Sequence, residues 1–203
     1  MALMLCLLAV GVGSSTASAQ MMKDGKMMKS DGNPTVGGAA MYKKMNIVEN
    51  AMASPIHKTL VSAVVAAGLV DTLKGRGPFT VFAPTDDAFG KLPAGTVDTL
   101  VMPANKMMLS GILTYHVVAG KMDSKAIMKA IKKGKGKAMF KTVNGSMLTA
   151  MMHNNGVMLT DAKGGTAMVT TADVMQSNGV IHVIDTVLMP GEKMMSGDGM
   201  KKM

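Results

Sequence analysis

The order of periodicities along this 203-residue chain predicts an α+β fold in one domain: apolar residues recur at helical spacing from Asn46 to Tyr115 and at strand spacing after Phe140. Three Asn-Gly pairs punctuate the second half, at Asn144-Gly145, Asn155-Gly156 and Asn178-Gly179, each beside a β-rich run. Asn-Gly is the strongest short hairpin signal, because the tightest two-residue turns need positive φ at both positions. Helices first and strands second exclude the alternating units of a parallel α/β sheet.

The elements follow in order. Residues 1–19 read as a secretory signal peptide: Ala2 to Val12 is almost wholly apolar and Ala17-Ser18-Ala19 forms a cleavage pattern before Gln20, although no Lys or Arg precedes the apolar run. A dozen apolar residues fall short of the roughly twenty that span a bilayer. The single cysteine, Cys6, lies in this leader behind Leu5, which is not the small residue a lipoprotein signal wants. Cleavage leaves no thiol, so neither a disulfide nor a cysteine metal site is expected. Residues 20–42, rich in Met, Lys, Gly, Asp and Asn, read as a flexible arm, 43–190 as the domain and 191–203 as a second flexible tail. Val61 to Val70 is interrupted by Ser62 and Gly68, so no transmembrane span is expected, and the protein is placed as secreted or periplasmic.

Asn46 and Ser54 read as N-caps, with Pro55 at a first helical position. Ile56, Leu60, Val61, Val64 and Val65 then share one face, as a core-facing helix requires, and Gly68 and Gly75 punctuate around Leu69, Val70 and Leu73. Phe79 to Phe82 is a short apolar strand entered through Gly77-Pro78 and ended by Pro84. Thr85 caps the next helix, whose first turn carries Asp86 and Asp87 where the helix dipole favours negative charge. Asn105 caps a helix carrying Met108, Leu109, Ile112 and Leu113 toward Tyr115. Strands are expected at 140–143, 147–152, 157–160, 167–171 and 180–187.

Three segments carry more than secondary structure: Thr80-Val81-Phe82-Ala83-Pro84-Thr85-Asp86-Asp87-Ala88-Phe89, then Leu113-Thr114-Tyr115-His116-Val117-Val118-Ala119-Gly120, and finally Asn178-Gly179-Val180-Ile181-His182-Val183-Ile184-Asp185 running on to Pro190. In this order they resemble the two signature segments and the intervening Tyr-His motif of the fasciclin domain, over roughly Met45 to Pro190. The resemblance implies a wedge of two β-sheets flanked by helices, and an extracellular adhesion module rather than an enzyme. The residues matching the family's motifs are Thr80, Phe82, Pro84, Thr85, Asp86, Phe89, Tyr115, His116, Asn178, Gly179, His182 and Asp185. In the family the Tyr-His segment is linked to cell-surface receptor contact; here Ala119 stands where a proline is often seen, and packing of Tyr115 and His116 within the domain is the competing expectation. His182 alternates with Ile181 and Val183, so it faces away from them, and is expected in the fold's own polar network.

Little in the sequence points to catalysis or a bound cofactor. His57, His116, His153 and His182 show no metal-ligand spacing. The adjacent Asp86 and Asp87 suit a helix dipole better than acid–base work, and no nucleophile elbow or phosphate-cradling loop occurs. Asn144-Gly145-Ser146 is formally a glycosylation sequon that the hairpin turn already explains.

Two compositional anomalies remain. Between Lys121 and Lys141 stand eight lysines against Asp123, a local +7 in a chain whose formal net charge is +9. Lys125, Lys129, Lys132 and Lys133 fall on one helical face opposite Ile127, Met128 and Ile131, and Lys135 and Lys137 extend it through a mobile tip, giving either a solvating face or a patch for anionic surfaces. With no interleaved aromatics or arginine, nucleic acid is not the expected partner. The second anomaly is 26 methionines. Met21, Met22, Met27, Met28, Met194 and Met195 lie in polar tails where burial does not explain them, and their thioethers could serve Cu(I) or act as an oxidant sink. The expected function is non-enzymatic adhesion or surface association through a cell-surface or matrix protein or an anionic polysaccharide, by a monomer without cofactor. The alternatives are soft-metal or oxidant buffering by the tails, and carriage of a small apolar ligand.

Overall fold

The computed structural model describes residues 32–154 and 156–191. Among the described residues seven α-helices come mostly before the strands: α1 (Ile47–Ala53), α2 (Lys58–Ala67), α3 (Val70–Lys74), α4 (Asp86–Gly90), α5 (Thr96–Leu100), α6 (Lys106–Tyr115) and α7 (Ser124–Lys133). A small hairpin, β1 (Thr35–Val36) with β2 (Ala39–Ala40), precedes them. The main sheet contains β3 (Phe79–Pro84), β4 (Val117–Ala119), β5 (Lys137–Lys141), β6 (Met147–His153), β7 (Gly156–Thr160), β8 (Thr166–Gln176) and β9 (Gly179–Ile184).

These strands lie in the order β4-β3-β9-β8-β7-β6-β5, all neighbours antiparallel except β3 and β9. The long β8 joins two halves of a wedge. Its start pairs with β7 and the rest with β9, and the register slips between Val169 and Thr171 and again before Val174. Such bulges sharpen bend and twist. The two end strands meet again at one bridge, Val118 opposite Thr142, with the Val143 N–H donating to the Val117 carbonyl at 2.7 Å.

Two cores flank the central strands. Val81, Ala83, Ile181 and Val183 face the helices α1, α2, α3 and α6. Phe82, Tyr115 and Ile184 face the other way, joining Ile127 and Ile131 of α7 with Leu148, Ala150 and Leu159. Strand β9 is therefore buried along its whole length.

Several local expectations are corrected. Asn46 caps α1 through a full capping box with Glu49, but Ser54 is the C-cap of that helix and Pro55 is not helical. Helix α2 starts at Lys58, and its first N–H groups are capped from a distance by Asp86, which accepts from Thr59 N at 2.8 Å and Lys58 N at 3.3 Å. Its buried face is Leu60, Ala63, Val64 and Ala67, leaving Val65 exposed. Residues 32–41, expected in the arm, include the β1–β2 hairpin; Val36 and Met41 are buried, and Asn33 exchanges two hydrogen bonds with the Met175 backbone. Asn105 precedes α6 without a side-chain cap bond, its amide donating to the Thr99 carbonyl instead. The lysine tip is a hydrogen-bonded helix end in which Gly136 N donates to Ile131 O at 2.9 Å, and Lys137 already belongs to β5.

Candidate functional site

The motif residues converge on the parallel pair β3 and β9, where Phe82 stands opposite His182. Asn178 is the hub. Its Oδ1 accepts from Ile47 N at 3.0 Å, its Nδ2 donates to the carbonyls of Leu73 and Gly75 at 2.7 and 2.9 Å, and its own carbonyl accepts from Phe79 N. One side chain thus ties α1 and the end of α3 to the sheet. Gly179 must be glycine, because a Cβ there would collide with the Phe79 carbonyl. Thr80, fully buried, donates to Gly120 O at 2.7 Å and accepts from Met122 N at 2.9 Å. Pro84 closes β3, Thr85 caps α4 through Ala88 N, and Phe89 packs into the helical core.

Asp86 and Asp185 are both held below the usual carboxylate pKa. For Asp86 burial opposes this, but the N–H groups of Thr59 and Lys58 outweigh it. For Asp185 burial again opposes, against the Met168 N–H, the Thr186 hydroxyl and Lys91, whose ammonium lies 3.5 Å from Oδ2.

The motif histidines are neutral structural groups. His116 bonds to the Ile112 carbonyl through Nδ1 at 2.9 Å, so Nδ1 carries the proton, and Nε2 accepts from Leu188 N at 3.0 Å. Burial dominates its environment and lowers its pKa to about 4, despite the Ile112 carbonyl and Asp161. His182 uses the opposite tautomer: Nε2 donates to Met122 O at 2.8 Å and Nδ1 accepts from Asp173 N. Its ring stacks on Phe82 with centroids 5.7 Å apart, and burial lowers its pKa against the pull of Met122 O, Asp173 and Asp123. Tyr115, with no exposed surface, donates to Met147 O and accepts from Ala162 N, both at 3.0 Å. Tyr115 and His116 therefore sit inside the domain, and the internal network expected for His182 is present.

Two features of the surface and interior stand apart from this frame. A cavity of about 150 Å3 lies between α1, α2, α3 and the sheet, lined almost entirely by apolar groups including Ile47, Leu60, Val64, Val81 and Ile181. Exposed Met52 and Val65 also line it. His57 is one of its few polar lining groups: Nδ1 pairs with Ser54 Oγ at 2.8 Å, whereas Nε2 has no partner of acceptable geometry. Burial lowers the His57 pKa, with the Ala83 carbonyl and Asp86 pulling the other way. Sequence reasoning did not single out His57, although a histidine just before an apolar helix was the available signal. Nor did it find Asp173, a positive-φ residue of β8 whose carboxylate binds the N-terminus of α7 at Ser124.

The second feature is basic. Lys125, Lys129, Lys132, Lys133, Lys135 and Lys137 are all exposed, and among the described residues none meets a carboxylate or a hydrogen-bond partner for its ammonium. Ile127 and Ile131, each 1% exposed, anchor α7 from beneath, so its lysines point outward. Met21, Met22, Met27, Met28, Met194 and Met195, like the leader and both outer tails, lie outside the described residues. Among the described residues no group of three His, Cys, Asp or Glu could hold a metal, and no helix is long and apolar enough to cross a membrane.

The fasciclin domain family model matches residues 55–190. This chain is a fasciclin-domain protein. It is 44% identical over 165 residues to protein sll1483 of Synechocystis sp., covering 81% of this chain and 84% of the relative. It is 32% identical over 192 residues to the immunogenic protein MPB70 of Mycobacterium bovis, covering 92% of this chain and 91% of the relative. The cell surface glycolipoprotein MPB83 of the same species is 37% identical over 164 residues, covering 78% of this chain and 67% of the relative. Its fold matches that of a FAS1 domain pair from the insect cell adhesion molecule fasciclin I with a TM-score of 0.65 at 21% identity, covering 78% of this chain and 54% of that one. Residues before the matched range pack against it: Val36, Met41 and Ile47 belong to its helical core, and Ile47 N donates to Asn178 Oδ1.

Proposed function

We propose that this fasciclin-domain protein is a secreted or periplasmic, non-enzymatic contact module that associates with surfaces through a cell-surface or matrix protein or an anionic polysaccharide. The observation that carries the reading is the division of labour among its polar groups. The buried motif side chains spend their hydrogen-bonding capacity on the domain's own backbone, whereas the lysines of α7 and β5 are outward and unneutralised. Unpaired ammonium groups on a rigid helix favour a polyanion through summed charge, an attraction that salt screens. Relatives named as cell-surface and immunogenic proteins support an extracytoplasmic setting.

The test is retention on an acidic polysaccharide matrix along a salt gradient. Replacing Lys129, Lys132, Lys133, Lys135 and Lys137 by Gln should move elution to lower salt with unchanged thermal unfolding. Equal elution of the two proteins would count against the basic face as the contact.

A second reading, carriage of a small apolar ligand, is supported by the cavity beneath α2. About 150 Å3 is the size of an engineered apolar cavity that takes up benzene, so its occupant would be a small hydrophobe unless α1 and α2 part. Mass spectrometry of organic extracts from the purified native protein, compared with a Val64→Phe variant that fills the space, tests it: a ligand equally abundant in both would sink this reading.

A further inference from the structure

The second half of the fold aligns methionines that lie far apart in sequence. Met151 of β6 stands opposite Met158 of β7, and Met158 stands opposite Met168 of β8, so three thioethers form one row across three adjacent strands. All three are half-buried on the outer face of the sheet, where the alternating partners Leu148, Ala150, Leu159 and Ala167 point into the core. Helix α7 packs by Ile127 and Ile131 onto the core side of these strands, opposite the row.

We propose that this row is a binding site for a soft monovalent cation, Cu(I) or Ag(I), held by the thioethers of Met151, Met158 and Met168. Directly opposed residues of antiparallel strands have Cβ atoms about 4.5–5.5 Å apart, and methionine has enough rotatable bonds for neighbouring sulfurs to close on one ion. The third side chain already leans across its neighbour: the Met168 methyl lies 3.5 Å from where a Cβ of Gly156 would stand. Gly156 faces His153, so the missing side chain leaves space over the sheet beside the row. Neutral, polarisable sulfur without a carboxylate among the donors selects a soft ion over zinc, magnesium or calcium. Half-exposure lets the ion enter from solvent. Lys137 faces Met151 at the row's outer end and is exposed, so its ammonium can remain in water. Because thioethers do not titrate, the site should hold its ion equally at pH 7 and pH 5, unlike a site that depends on imidazole.

The experiment is an anaerobic Cu(I) titration of the full chain against a coloured Cu(I) chelator. It compares the wild type, Met151→Leu/Met158→Leu/Met168→Leu, and a variant with Met21, Met22, Met27, Met28, Met194 and Met195 changed to Leu. The expected result is that the tail variant keeps one tightly held equivalent, that the sheet variant binds that equivalent at least tenfold more weakly, and that the wild-type value does not change between pH 7 and pH 5. Leucine conserves apolar volume, and circular dichroism checks that the sheet variant is folded. Independently of any variant, Ag(I) should shift the methyl carbon resonances of Met151, Met158 and Met168 together in the wild type. Loss of all tight binding in the tail variant, undiminished binding in a folded sheet variant, or no shift of these three methyls would overturn the site. A steep loss of affinity toward pH 5 would point to an imidazole donor and overturn the three-thioether assignment.

Discussion

The two cores on either side of β3 and β9 are built from the same central strands but filled differently. On the side of α7, Phe82, Tyr115, Leu148, Leu159 and Ile184 pack with almost no exposure, and His182 and Tyr115 find partners for every polar atom they present. On the side of α1, α2 and α3 the helices leave an apolar cavity, and His57 keeps a nitrogen without a partner beside it. The short helices on that side are joined by breaks of four residues (54–57) and two residues (68–69) and borrow caps and anchors from elsewhere, Asp86 for α2 and Asn178 for α1 and α3. The comparison teaches that in this fasciclin domain the signature segments make the frame rigid, while the room for variation lies in the helical layer and on the outer surfaces.

The sharpest way to break the comparison is a matched pair of truncations. Leu148→Ala on the filled side should cost about 4–5 kcal/mol, whereas Leu60→Ala beside the cavity should cost about 2–3 kcal/mol, because a side chain that already borders empty space loses fewer contacts. Urea unfolding of the two variants measures this, and equal losses would mean that the two sides are packed alike.

The next effect is one of pH. His116 falls from an ordinary 6.5 in the unfolded chain to about 4 when folded, so the unfolded state binds the extra proton between these values. Stability contributed by the neutral ring is fully present above about pH 6.5 and is lost as pH falls toward 4, by an amount on the order of 3 kcal/mol. His182 and His57, lowered in the same direction, steepen the fall. His116→Gln should flatten the pH dependence of the unfolding midpoint over this window, and an unchanged slope would remove His116 from the account.

A smaller effect tests the borrowed cap. Asp86→Ala should destabilise by about 1–2 kcal/mol, the usual worth of an N-cap, and hydrogen exchange should rise first at Lys58, Thr59 and the residues after them. Exchange spread evenly over the domain would show that α2 does not rely on this cap.

Much of this was readable in the sequence where a rule acts over a few residues. Asn46 with Glu49, Thr85 before two aspartates and Gly68 ending α2 each carry their cause locally. What was not readable depends on partners brought from far away. Ser54 looked like the cap of α2, but Asp86 does that work from 28 residues downstream of Lys58. Val36 and Met41 offer no periodicity, and their burial follows from Asn33 holding Met175, 142 residues on. Val65 matches the helical stripe but lies outside it, because the helix turns Ala63 and Ala67 to the core. The strand ending expected at Thr171 runs on to Gln176, since the bulges around Thr171 break the two-residue period without ending the strand. The histidine frame followed from the motif, but the cavity beside His57 and the alignment of Met151, Met158 and Met168 depend on packing and register that no single segment contains.

The bridge between Val118 and Thr142 bears on how such a module can meet its neighbours. It brings the ends of the two outermost strands together, one only three residues long and the other carrying Lys137 and Lys141, so neither edge is a long uncharged template for an incoming strand. Polymerisation by strand addition, a hazard for β-rich proteins crowded at a cell envelope, is thereby disfavoured. A partner held by side chains, as the proposed surface contact requires, can be bound and released without unravelling the sheet.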